Sequence, residues 1–176
     1  MTKEPKEKTN KEEEGDECPI CLENLPKFAN EFTRFTCCGK GIHTHCNKDR
    51  HSMKMSGNCP MCRAPTPTSY QEHVKYLRPW VKKKKAWAQN LMGQNYRDGT
   101  GIKQSYEMAI RLLELAAQQG DADSIYILGL MYYEGEGVEQ SYERAREYCE
   151  QSAHLGYANA QCNLGTMYAD GQGVEQ

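Results

Sequence analysis

Between Cys18 and Cys62 the chain sets seven cysteines and a histidine in four close pairs: Cys18-x2-Cys21, Cys37-Cys38, His43-x2-Cys46 and Cys59-x2-Cys62. Thiolates and imidazole at such spacings are ligands for a tetrahedral divalent metal, and eight of them fill two zinc sites. The set contains no carboxylate and leaves no ligand position for water. The chemistry this implies is structural, with metal holding a surface together rather than activating a nucleophile.

A stretch this short cannot offset its chain entropy by burial alone, since domains of roughly 40 residues usually need metals, disulfides or partners. Structural zinc contributes on the order of 10 to 16 kcal/mol, which appears as folding energy. The metal-free stretch from Cys18 to Cys62 is therefore expected to be unfolded. His45 is the alternative to His43 as ligand; His43 keeps the two-residue spacing to Cys46. Cys37 and Cys38 are adjacent, so either the backbone turns sharply between them or one is a bystander.

Composition sets the frame. With 176 residues, 26% of them charged, a net charge of -2 and a mean hydropathy of -0.86, the chain reads as one or two small soluble domains. No run approaches the ~18 apolar residues of a membrane span. Met1 to Glu17 is mostly Lys and Glu and lacks the apolar core of a signal peptide, so residues 1–15 read as a disordered charged lead-in. A cytoplasmic or nuclear protein is expected, in which paired cysteines bind metal rather than form disulfides.

The stretches DECPICLENLP, FTCCGKGIHTHC and GNCPMCRAP resemble a RING-type zinc finger, across about a quarter of the chain. The resemblance implies a small α+β cross-brace in which ligand pairs alternate. One zinc would take Cys18, Cys21, His43 and Cys46, and the other Cys37, Cys38, Cys59 and Cys62. Lys40 stands near the place where the family often has a histidine ligand. The resemblance further implies a ubiquitin-conjugating enzyme as partner, contacted through Ile20, Pro60 and Arg63. Arg63 would bridge that enzyme and ubiquitin with its planar donors. Where many active members carry Trp, this chain has the hydrophilic run Asn47 to Arg50; Met53 or Met55 is the apolar alternative.

Beyond Arg63, the prolines and small polar residues of Ala64 to Ser69 mark a linker or an extended arm leaving the finger. Val74, Leu77 and Val81 then follow helical spacing, with Pro79 expected to kink or restart the helix. Lys82 to Lys85 read as a solvated helix face, with a nuclear-import or phosphate-binding signal as the alternative.

From Ala86 the chain repeats with a period of 36 residues. Met92, Leu128 and Leu164 correspond, as do Gly93, Gly129 and Gly165; Tyr96, Tyr132 and Tyr168; Leu113 and Cys149; Gly120 and Gly156. Each unit reads as a helical hairpin, with Gly-x-Gly turns ending the first helix and Ser105 and Ser141 capping the second. The columns resemble Sel-1-like repeats, relatives of tetratricopeptide repeats, which implies an all-α solenoid acting as a protein scaffold. The expected organisation is 16–66 zinc finger, 67–85 linker and lead-in helix, and repeats over 86–121, 122–157 and 158–176. The last unit lacks its second helix, so a longer natural chain or a covering partner is expected.

No Gly-Lys-Ser/Thr loop, nucleotide fingerprint or nucleophile with an adjacent base is present. A pI near 6.2 argues against nucleic acid. Two functions from different classes remain: a ubiquitin ligase holding substrate on its repeats, and a non-catalytic adaptor in which both modules only bind proteins.

Overall fold

A computed structural model describes residues 18, 25, 32–44, 47–48, 57–59 and 61–173. The charged N-terminus and the positions of Ile20, Cys21, His45, Cys46, Met53, Met55 and Pro60 lie outside the described residues. The described part begins with an antiparallel pair, β1 (Phe32–Arg34) and β2 (Gly41–His43), registered Phe32 to His43 and Arg34 to Gly41. Six helices follow between Tyr70 and Ala169: α1 (Tyr70–Lys82), α2 (Ala86–Asp98), α3 (Tyr106–Ala117), α4 (Ala122–Glu134), α5 (Tyr142–His154) and α6 (Ala158–Ala169).

The helices form the hairpins that the columns call for. Gly99 and Gly135 take left-handed φ of 69° and 74° at the ends of α2 and α4, where a side chain would be strained. The hydroxyls of Ser105 and Ser141 accept the N–H of Met108 and Arg144, satisfying a first-turn donor of α3 and α5. Leu113, Leu128 and Met131 are fully buried between neighbouring hairpins. Each such side chain contributes about 1.5 to 3 kcal/mol. In the second hairpin the Ser152 hydroxyl donates to the Ala122 carbonyl across 2.7 Å, so a buried polar atom is paired at the contact.

Residues 65 and 66 pair with the cysteine-rich module: Asn58 bridges Pro65, and the Thr66 N–H donates to Gly57 O at 3.1 Å. One reading of residues 64–85 is corrected. Helix α1 does not restart at Pro79. It runs through it, because Pro79 lies on the exposed side, where the carbonyl that loses its partner can meet water.

As well as leading into the repeats, α1 is built as the second helix of their hairpins is. Ser69, Tyr70 and Leu77 fall 36 residues before Ser105, Tyr106 and Leu113. Ser69 caps α1 through the Glu72 N–H, as its counterparts do. Lys85, Asp121 and Tyr157 donate their N–H to Trp80, Ala116 and Ser152 at 3.1, 3.2 and 3.2 Å. Lys84 adopts φ 56° where Gly120 and Gly156 have 81° and 88°. Val74 and Leu77 are buried against Ala88 and Met92 of α2 and Leu112 of α3, which closes the solenoid's first interface.

Candidate metal centre

Two turns bring the cysteines together, and they share one hydrogen-bond frame. In the first, the Phe35 N–H donates to Lys40 O (2.8 Å) and the Gly39 N–H to Phe35 O (2.7 Å). In the second, the Cys59 N–H donates to Ala64 O (2.7 Å) and the Arg63 N–H to Cys59 O (2.9 Å). The fifth residue is left-handed in both, with φ 74° at Gly39 and 63° at Arg63. Cys38 and Cys62 are thus equivalent. Phe35, buried among the module's apolar residues, holds the corner that Cys59 holds in the other turn. Cys37, one residue before Cys38, supplies the sulfur that this corner lacks. Adjacent cysteines reach one cluster in this way.

The Sγ atoms of Cys37, Cys38, Cys59 and Cys62 lie within 4.8 Å of one another. Cys38 and Cys59 are separated by 3.7 Å, and Cys37 and Cys62 by 3.5 Å. A disulfide needs about 2.05 Å. A tetrahedron with metal–sulfur bonds of about 2.3 Å has edges of about 3.8 Å, so the donor set fits zinc in kind, number and spread. Burial first, then the neighbouring Cys59 and Cys62 sulfurs, pushes the Cys37 thiol far up. Cys38 is raised by burial against the opposing Lys40 N–H. At Cys59, burial is outweighed by the backbone N–H groups of Cys62 and Met61, which favour the thiolate. Four such groups cannot ionise together without a compensating cation, and a bound dication supplies that compensation.

Of the other expected ligand set, Cys18 and His43 are both buried, at 0% and 7% exposure, with His43 at the end of β2. Their expected companions Cys21 and Cys46 are outside the described residues, as are Ile20 and Pro60. Arg63 is exposed beside the cluster. Asn47 is tied to β1, its amide donating to Thr33 Oγ1 at 3.2 Å. Cys149 packs in the repeat core and Cys162 is exposed, both away from the cluster.

Sequence reasoning missed the residues that seat the first turn. The Trp80 indole N–H donates to Thr36 O at 2.7 Å. The Trp80 ring lies where a Cβ on Gly39 would come within 2.8 Å of it. Arg34 donates to Gly39 O at 2.6 Å and stacks over Trp87, 5.2 Å from the ring centre. The overlooked signal is a tryptophan in the column that holds the small residues Ala116 and Ser152.

The helical hairpins and their glycine turns define a solenoid of a known class. Residues 88–121, 122–157 and 158–176 match the Sel1 repeat, just over half of the chain, and the chain belongs to the Sel1 repeat family. It is similar in structure to a protective antigen of uropathogenic Escherichia coli displaying an SLR fold, with 33% identity over 62% of this chain and a TM-score of 0.59. It is also similar to a Sel1 repeat protein from Oxalobacter formigenes, with 36% identity over 59% of this chain and a TM-score of 0.57. The matched regions span 24% and 42% of those two chains. No curated protein matches the chain. The cysteine-rich module lies outside the family match, and among the described residues no helix is long and apolar enough to cross a membrane.

Proposed function

We propose that this chain is a zinc-held ubiquitin ligase, in which the cysteine-rich module docks a charged ubiquitin-conjugating enzyme and the Sel1 repeats hold the protein to be modified. The observation that carries this reading is the four-sulfur cluster with Arg63 exposed on its second turn. The zinc would be held by Cys37, Cys38, Cys59 and Cys62, and by Cys18, Cys21, His43 and Cys46 at a second site. Bound, it would supply rigidity, fixing the turn from which Arg63 projects. The guanidinium needs no deprotonation and offers donors to carbonyl groups on two partners at once. The repeats advertise a surface for proteins without naming the occupant.

The test is discharge of ubiquitin from a panel of charged conjugating enzymes by the zinc-loaded chain. Discharge that Arg63→Ala abolishes supports the ligase; no discharge above background with any enzyme removes it.

A second reading, a non-catalytic adaptor, draws support from Asn47 and Lys48. Both are hydrophilic where an interface wants an apolar anchor, and interface energy concentrates in such anchors. In that case Arg63→Ala leaves partner binding unchanged and there is no discharge to lose.

A further inference from the structure

Helix α1 is built as the second helix of a repeat hairpin, and among the described residues no first helix of the same period stands before it. In the complete second unit, Ser152 of α5 packs on the N-terminus of α4 through its bond to Ala122 O. Trp80 stands in the same column on α1. Among the described residues, what meets it is the cysteine-bearing turn: Thr36 O accepts its N–H at 2.7 Å and Gly39 lies against its ring. Lys83 covers the ring from its own helix, 4.7 Å from the centre. Trp87 of α2 joins the contact, 5.7 Å from Trp80 and under Arg34.

We propose that the metal-held module is the N-terminal cap of the solenoid, the Cys37–Cys38 turn packing on α1 where a later unit packs the start of its first helix, and Trp80 acting as its seat. The proposal rests on the zinc reading above. Solenoid ends need a cap, because a terminal helix otherwise leaves its stacking face in water. Zinc would preserve the turn that covers Trp80. Trp80 in turn would orient the turn that presents two of the four sulfurs, as an outer-shell group orients a ligand. The same contact would fix the module's direction relative to the repeats, and so the distance between anything docked on each.

The chain's two tryptophans, Trp80 and Trp87, both lie at this contact, so tryptophan emission, excited selectively at the red edge where tyrosine does not absorb, reports on it. The experiment compares the full chain loaded with zinc and stripped by EDTA. It follows helix melting at 222 nm and tryptophan emission, and titrates cobalt(II) by its thiolate charge-transfer band. Chelation is expected to lower the melting temperature of the helices and to shift the emission to the red. Zinc-loaded Trp80→Ala is expected to melt low as well and to bind cobalt about tenfold more weakly. Trp80→Phe keeps a ring over Gly39 without the N–H bond and is expected to fall between; it also carries the test if Trp80→Ala does not fold. A cobalt band together with unchanged melting and emission on chelation overturns the cap. Absence of the band in the wild-type chain sinks the zinc reading itself, and the coupling with it.

Discussion

Gly93 and Gly165 hold the same column of the repeat, yet a Cβ on Gly93 would lie 2.8 Å from Leu113 Cγ, whereas one on Gly165 would meet nothing within 4 Å. Gly93 is where α2 and α3 touch; Gly165 faces open space. Gly93→Ala should therefore destabilise by about 1 to 3 kcal/mol through overpacking. Gly165→Ala should stabilise α6 by up to about 1 kcal/mol through helix propensity. Urea denaturation of the two variants, read at 222 nm, gives opposite signs if the columns are packed as described.

Lys84 makes the extension of the repeat into α1 testable. A lysine at φ 56° carries a steric cost that Gly120 and Gly156 avoid in the same column. Lys84→Gly should stabilise the chain by about 1 kcal/mol, and Lys84→Val should destabilise it. A neutral result for both in thermal melts would mean that the turn after α1 is not held as the later ones are.

Leu113 and Cys149 occupy one column and are both buried, but a leucine leaves the larger void. Leu113→Ala should cost about 2 to 5 kcal/mol. Cys149→Ala should cost clearly less, since only the sulfur is lost. Equal losses by chemical denaturation would contradict the packing at this position.

The backbone of Arg63 and its proposed side-chain role can be tested apart. Arg63→Gly relieves a left-handed φ of 63° and should leave the second turn as stable or about 1 kcal/mol more so. It should also abolish ubiquitin discharge in the same preparation. Retained discharge, with zinc content unchanged, would take the guanidinium out of the proposed chemistry.

On the proposed reading of two zinc sites, loss of either adjacent cysteine should release one zinc equivalent. Cys37→Ser and Cys38→Ser are each expected to halve the bound zinc measured by atomic emission, because both sulfurs belong to the cluster. If only one of them did so, the other would be the bystander.

The repeats were legible because close packing leaves a periodic trace: Gly93, Gly129 and the Gly-x-Gly turns recur wherever helices touch or chains reverse. The convergence of Cys37 and Cys38 with Cys59 and Cys62 was legible from their close spacing in pairs. The earlier unit at α1 was not read, because its glycine is Lys84 and its small packing residue is Trp80, the two positions that carry the period most visibly elsewhere. Still, Ser69-Tyr70 against Ser105-Tyr106 and Ser141-Tyr142 was there to be seen. Pro79 drew attention to a break that its exposed position made unnecessary. The seating of the cysteine turn on Trp80 could not be read at all, since nothing local links Thr36 to a residue 44 positions away.

The shared frame of the two turns means that the bonding scaffold, rather than any count of intervening residues, is what brings the four sulfurs together. The first turn carries its sulfur at position 37 rather than at corner 35, with the same carbonyls and amides shaping the loop. Exchanging the two, Phe35→Cys with Cys37→Phe, would restore the regular interval and ask whether the aromatic ring tolerates the vacated corner. Motif searches built on fixed gaps would pass over centres assembled in this transposed manner, even where the donors end up equally close.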